Sequence, residues 1–315
     1  MENLIFSLNA TIPVFLVMVI GWFLRQRGMR TDGFCSAAEK FNFQVTLPAL
    51  LFKDISGINI KEAFDLLYTL FCAGATTLCF LGAWIGARLF MKDKYSVGAF
   101  VQACYRGSAA VLGIAFIQNI YGSSGMAPMM IVSSVPLFNI YAVLVLVLEN
   151  PENKGGGTAA IKKAVIGVCK NPIIWGILIG AVFSLLQWQL PVMLSKTVGS
   201  LAAVATPLAL IVVGAGFEGM AALKKVKPTL IASLVKLVIQ PLIFLPIAAW
   251  MGFTTDKMIA VLVMLAAPTT PSCYIMAKNM NGDHVLTSSV VVTTTLLSAF
   301  TLTFWIWALR TAGLL

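Results

Sequence analysis

Met264-Leu-Ala-Ala-Pro-Thr-Thr-Pro-Ser-Cys-Tyr-Ile-Met-Ala-Lys278 sets two prolines and two threonines in the middle of an apolar run that extends from about residue 257 to residue 280. Each proline removes a helical N–H and clashes with the preceding turn, so continuous helix is disfavoured between Pro268 and Pro271. A second apolar run, at about 97–120, is interrupted by Arg106-Gly-Ser108. The two breaks occupy matching places in the two halves of the chain. Unwound backbone is tolerated within a bilayer only where it is buried in protein or lines a cavity, and a matched pair of breaks points to the binding site of a secondary carrier.

The rest of the chain fits a bilayer. Of 315 residues, 59% are hydrophobic and 11% charged, whereas a soluble protein has roughly 25% charged. A span needs about 20 apolar residues. Such runs occur at about 4–24, 41–60, 64–91, 97–120, 126–148, 165–187, 192–217, 228–252, 257–280 and 284–309. The predicted fold class is an all-α polytopic membrane protein with ten transmembrane helices, the fourth and ninth broken, and no attached soluble enzyme or regulatory module. The first run lacks a basic region in front and carries Arg25, Arg27 and Arg30 behind it, so it reads as a retained helix, not a signal peptide.

The net charge of +10 is distributed unevenly over the loops. One side receives only Lys53, Lys61, Lys196, Lys257 and Arg310, and the remaining loop-borne Lys and Arg fall on the other. The positive-inside rule makes that other side cytoplasmic, which places the chain in the plasma (inner) membrane with both termini outside. Six scattered cysteines without a C-x-x-C pair read as small buried hydrophobes. His284 is the only histidine and reads as a cap of the last helix, so neither a metal site, a His-based triad nor a cofactor is expected. The expected partners are a small organic anion and the lipid bilayer, with no nucleic acid; a homodimer is allowed.

A hydrophilic segment, Glu149-Asn-Pro-Glu-Asn-Lys-Gly-Gly-Gly-Thr158, divides the spans five and five. Pro13 and Pro172, Gly21 and Gly180, and Pro48 and Pro207 are each 159 positions apart; Asn119 and Asn279, and Gly122 and Gly282, are 160 apart. A shared offset across several helices predicts an internal repeat. An odd number of crossings per half makes the repeats inverted. The expected organisation is a first repeat at 1–150, a cytoplasmic linker at 151–164 and a second repeat at 165–315.

Chemistry concentrates at the breaks. Gly107 relaxes the backbone, Ser108 offers a hydroxyl, and Thr269, Thr270 and Ser272 supply hydrogen-bonding groups beside the backbone freed by Pro268 and Pro271. Half-helices that start after each break direct N–H groups and positive dipole ends into the membrane. Arg106 adds a permanent cation, and Lys236 is the other basic residue well inside a span. The acidic residues all fall at or near loops or span ends, so an acid-free interior is expected. Two cations and two positive helix ends describe an anion pocket, with Lys236 either in it or tying the eighth helix to it. Asn42, Gln44, Gln102, Asn139 and Gln240 read as interhelical hydrogen-bonding groups. Gly82-x-x-x-Gly86 and Gly176-x-x-x-Gly180 read as packing surfaces.

Asn42-Phe-Gln-Val-Thr-Leu-Pro-Ala-Leu-Leu-Phe52, Tyr105-Arg-Gly-Ser-Ala-Ala-Val-Leu-Gly113, Ser233-Leu-Val-Lys-Leu-Val-Ile-Gln-Pro241 and Ala267-Pro-Thr-Thr-Pro271 together resemble the auxin efflux carrier family, in order and over the whole chain. The resemblance implies two inverted five-helix repeats, a scaffold and a transport domain each drawn from both, and broken helices 4 and 9 crossing at the substrate. It implies elevator-type transport of organic anions such as auxin, malonate or malate. It places Arg106, Gly107, Ser108, Pro268, Thr269, Thr270 and Pro271 at the crossing, with Asn42 and Pro48 beside them. The family commonly has Asn where this chain has Ser108, which leaves the substrate open within its class.

The resulting expectation is a carrier of a small mono- or dicarboxylate and not an enzyme: an intramembrane hydrolase needs clustered His, Asp or Glu, and a sensor needs a signalling domain. The alternative is a sodium-coupled organic anion symporter of the bile-acid type, against which an acid-free interior counts.

Overall fold

The computed structural model describes residues 2–27, 32–58, 64–109, 125–150 and 165–315. The continuation of the first interrupted run beyond Ala109, the linker at 151–164, and Arg30, Lys61, Asn119 and Gly122 lie outside the described residues. Among the described residues every regular element is helical, and one isolated antiparallel bridge joins Gly107 to Thr269.

In chain order the helices are α1 (Glu2–Gln26), α2 (Asp32–Phe41), α3 (Leu47–Ser56), α4 (Leu66–Phe90), α5 (Val97–Tyr105), α6 (Ala127–Leu148), α7 (Pro172–Leu186), α8 (Val192–Gly216), α9 (Gly219–Lys224), α10 (Val226–Leu234), α11 (Gln240–Trp250), α12 (Thr255–Ala266), α13 (Ser272–Asn279) and α14 (His284–Thr311). Single π-helical turns, Asn42–Thr46 and Val235–Ile239, join α2 to α3 and α10 to α11. Five continuous helices, Leu66–Phe90, Ala127–Leu148, Val192–Gly216, Val226–Trp250 and His284–Thr311, are long and apolar enough to cross a membrane. Large apolar side chains such as Leu70, Leu78, Ile85 and Leu89 of α4, and Leu230, Leu234, Leu242 and Ile243 of α10 and α11, are exposed. Apolar surface of that extent suits contact with lipid tails.

The second helix begins at Asp32, nine residues before its apolar run, and this corrects the acid-free interior. Glu39 is only 5% exposed, and Tyr274 Oη donates to its Oε1 at 2.9 Å. The cap of α14 is also displaced from the expected His284 to Asp283, whose side chain accepts from the Leu286 N–H at 2.9 Å. All six cysteines are free thiols, five of them buried and Cys169 exposed.

Helix α1 packs on α8 and α14, and α3 packs on α7 and α8; α4, α5 and α6 pack on one another, and α10 and α13 pack on α14. Glycines set the closest approaches. A Cβ on Gly21 of α1 would overlap the Ile211 carbonyl of α8, and one on Gly214 of α8 would overlap the Met18 carbonyl of α1. Gly176 and Gly180 of α7 lie in the same way against Pro48 and Phe52 of α3. Small residues that let backbones touch are the usual device of helix association in lipid, where dispersion replaces the hydrophobic effect. Gly82 and Gly86 meet no neighbouring atom, so only one of the two expected glycine pairs is a packing surface within the chain.

A polar knot fastens the ends of α5, α10 and α14. Lys225 Nζ lies 2.7 Å from Asp93 Oδ2 and 2.9 Å from Asp283 Oδ2, and Ser96 Oγ donates to Asp283 Oδ2 at 2.5 Å. Partial burial pushes the Asp93 carboxyl up, but its hydrogen bonds from Lys225 and Ser96 outweigh that and hold it below the ordinary carboxylate value. Burial likewise pushes Lys225 down, and its bonds to Asp93 and Asp283 outweigh it and hold the ammonium above its usual value.

Two outcomes are expected. Gly214→Leu forces α1 and α8 apart and lowers stability in detergent by about 1–3 kcal/mol, read as a fall in thermal unfolding temperature. Asp93 contributes stability above its unfolded pKa that disappears as pH falls through its lowered folded value, while Lys225 contributes below its unfolded pKa and is lost as pH rises through its raised folded value. Lys225→Met therefore abolishes the knot's share of the alkaline loss and costs roughly 1–3 kcal/mol at neutral pH, since buried Asp283 keeps its hydrogen bonds from Ser96 and Leu286 but loses its charged partner. A pH series of thermal melts on both proteins measures this.

Candidate functional site

The site starts where two helices stop. Tyr105 is the last residue of α5, and Arg106 leaves it in extended backbone at φ −82°, ψ 120°. Ala266 ends α12, Ala267 is extended at φ −61°, ψ 145°, and α13 begins at Ser272. The unwound segments pair with each other. Gly107 bridges Thr269, and the Ser108 N–H donates to the Pro268 carbonyl at 2.9 Å. Thr269 Oγ1 donates to the Ala103 carbonyl at 2.8 Å, and its N–H donates to Thr294 Oγ1 at 3.1 Å. Backbone groups that each helix relinquishes are thus satisfied by the other chain segment.

Lys236 completes this arrangement from behind. Fully buried in the second π turn, it donates through Nζ to the Met264 carbonyl at 3.1 Å and the Tyr105 carbonyl at 3.4 Å. These are the C-terminal ends of the two half-helices, where partial negative charge accumulates, so one ammonium neutralises both. A Cβ on Gly107 would stand 3.0 Å from Lys236 Nζ and 3.2 Å from the Met264 carbonyl, which explains why this position has no side chain.

Arg106 faces the other way. It is 2% exposed, and its partners are all uncharged. Nη1 donates to Gln102 Oε1 at 3.3 Å and contacts Met276 Sδ at 2.9 Å. Nη2 donates to Asn139 Oδ1 at 3.0 Å and Ser272 Oγ at 3.0 Å, and Nε has no partner among the described residues. No carboxylate of the described residues forms an ion pair with it. The first turn of α13, which no side chain caps, adds its partial positive charge beside the guanidinium.

Arg106 lines a cavity of about 60 Å³ together with Gly107, Ser108, Asn139, Thr270, Pro271 and Ser272. Leu47, Leu50, Leu51 and Asp54 of α3, Val135 and Phe138 of α6, Ile173 of α7, and Ala205, Thr206 and Ala209 of α8 complete its wall. The geometry is that of a buried cation whose Nε has no partner among the described residues, beside a helix N-terminus and on a small cavity.

Of the residues expected here, Arg106, Gly107, Ser108, Thr270, Pro271 and Ser272 reach the cavity. Pro268 and Thr269 hold the crossing through the bonds above. Lys236 lies behind it on the two carbonyls. Asn42 is buried and donates to the Ala205 carbonyl at 2.9 Å, while Pro48 packs on Gly176. Three polar wall residues were not expected, among them Thr206 of α8. Asn139, read as an interhelical hydrogen bond, makes one to Arg106 and also faces the cavity; Asp54 reads in sequence as an acid near a helix end, and only the helical register of α3 turns it inward.

Paired unwound segments crossing inside an apolar bundle define a membrane carrier. Residues 6–306 match the family described as "Membrane transport protein", that of the auxin efflux carriers, and the chain belongs to it. It is similar to an uncharacterized transporter of Methanothermobacter thermautotrophicus, 24% identical over 301 residues that cover 95% of this chain and 97% of the relative. It is also similar to the uncharacterized transporter YfdV of Escherichia coli K12, 26% identical over 285 residues that cover 88% of this chain and 90% of the relative. The protein is a multi-pass membrane protein of a transporter family.

Gly107→Ala tests the crossing. The added methyl presses on a backbone carbonyl that cannot move independently of α12, so a loss of about 1–3 kcal/mol is expected, measured as earlier thermal unfolding, whereas Ser108→Ala on the cavity side leaves the unfolding temperature close to wild type.

Proposed function

We propose that the protein carries a small organic anion, a mono- or dicarboxylate, across the plasma membrane by elevator-type alternating access. The observation that carries this reading is Arg106, buried beside a cavity with an Nε that has no partner and a guanidinium that forms no ion pair among the described residues. A charge is costly at that depth and is retained where it meets a substrate. Ser108, Thr270, Ser272 and Asn139 orient the bound carboxylate, and Lys236 keeps the crossing rigid while it does so.

Ten spans in two inverted five-helix repeats, 1–150 and 165–315 joined by a cytoplasmic linker, form the framework of this reading. Its support is geometric as well as sequential. Gly21 meets Ile211 and Gly180 meets Phe52, and the members of these two contacts are related by the same 159-residue offset that links the repeated prolines. The first helix of each half thus packs on the second helix of the other. A scaffold built from α1, α3, α7 and α8 would remain in place while the crossing moves past it, with both termini outside the cell.

Purified protein in liposomes, assayed for uptake of radiolabelled malate, malonate and indole acetate, is the test. Arg106→Ala is expected to reduce uptake by at least about tenfold, and Arg106→Lys to recover little of it because an ammonium cannot reproduce the planar fork; uptake by Arg106→Ala equal to wild type sinks the proposal. The sodium-coupled reading draws support from Glu39 and Asp54, two carboxylates within the bundle. Replacing external sodium with choline abolishes uptake if it holds and leaves uptake unchanged if the carrier is not sodium-coupled.

A further inference from the structure

Asp54 stands on the wall of the cavity that Arg106 occupies. Leu47, Leu50, Leu51 and Asp54 recur at helical spacing along α3, so one stripe of that helix faces the cavity with the carboxylate as its last member. From Leu47 to Asp54 the helix rises about 10 Å. Asp54 has neither a hydrogen bond nor an ion pair among the described residues, and the neighbouring Lys53 is exposed and absent from the wall. Among the described residues Arg106 is the only cation on the wall; besides Asp54 the polar groups there are the neutral Ser108, Asn139, Thr206, Thr270 and Ser272. The described wall thus carries one cation, Arg106, and one carboxylate, Asp54, that forms no ion pair with it.

Resting on the anion reading of Arg106, we infer that Asp54 selects the far end of the substrate: the ligand is an organic acid with one carboxylate and, at its opposite end, a hydroxyl or ammonium donor, and dicarboxylates are disfavoured. A second carboxylate reaching toward α3 meets like charge with no cation beside Asp54 on the described wall, whereas a donor there meets a carboxylate that has no hydrogen bond among the described residues. With an effective interior dielectric of about 20, such a contrast amounts to roughly tenfold or more in affinity. Leu47, Leu50 and Leu51 between the two poles suit a short hydrocarbon spacer.

Four five-carbon probes differing only at the far end test this: 5-aminopentanoate, 5-hydroxypentanoate, pentanoate and glutarate, compared for uptake into liposomes and for thermal stabilisation of the purified full-length protein. Wild type is expected to favour 5-aminopentanoate over glutarate by at least about tenfold, with Asp54→Asn shrinking that ratio by about tenfold or inverting it while pentanoate changes less than about twofold. The variant is isosteric, and its unliganded melting temperature checks that it folds. Glutarate equal to or better than 5-aminopentanoate in wild type, or an unchanged ratio in Asp54→Asn, overturns the assignment of Asp54 even when Arg106-dependent pentanoate binding persists. Absence of binding by any of the four overturns the anion reading and this inference with it.

Discussion

Everything at the centre of this molecule depends on satisfying backbone that two helices have given up. A lone N–H or C=O in an apolar interior costs several kcal/mol, and two breaks expose many such groups at once. Each break supplies the partner of the other: Gly107 bridges Thr269, and the Ser108 N–H reaches the Pro268 carbonyl. Thr269 works on both sides of its own chain, with its hydroxyl on Ala103 and its N–H on Thr294. Neither break is stable without the other, so the crossing is a single unit assembled from residues 160 or more positions apart.

The two buried cations divide the electrostatic work. Lys236 is committed, since both carbonyls within its reach are helix C-terminal ends. One hundred and sixty positions before it stands Thr76, a neutral residue whose hydroxyl faces Met264 Sδ at 3.9 Å. One ammonium therefore serves two half-helices, and a second in the same volume would repel it. Arg106 is held by dipoles alone. Gln102, Asn139 and Ser272 steady the guanidinium without cancelling its charge, which keeps the position chosen and the charge available. An acidic partner at that place would fix the arginine more firmly and remove the attraction for an anion.

The breaks are legible in sequence because their signals are local: proline and glycine disrupt a helix whatever surrounds them, and an arginine in an apolar run is conspicuous. The facing of a helix is not local. Lys236 sits in a π turn, which inserts an extra residue per turn and rotates the side chain from the cavity toward the carbonyls, and nothing in Val-Lys-Leu-Val-Ile composition announces that turn. Asn42 lies in the other π turn and bonds α8 in place of the cavity. Glu39 is hidden for another reason: the helix extends nine residues beyond its apolar stretch, and a run defined by hydropathy begins too late to include it. Asp54 is readable as an acid near a helix end, yet its role depends on which stripe of α3 faces Arg106, a tertiary fact.

The size of the cavity constrains what the crossing must do. About 60 Å³ is less than half the roughly 150 Å³ that admits benzene in a protein interior, so a multi-carbon acid enters only if a wall withdraws. The candidates are unequal. Separating α3 from α7, or α1 from α8, would part backbones in contact at Gly176, Gly180, Gly21 and Gly214, and opening the crossing itself would strand the groups that each break satisfies. The face that α3 presents to the cavity is Leu47, Leu50 and Leu51, and Asp54 at its end has no hydrogen bond or ion pair among the described residues. Apolar surfaces can slide with little change in free energy where hydrogen-bonded ones cannot, so under the proposed function the crossing makes room at least cost by moving as a body along that leucine face.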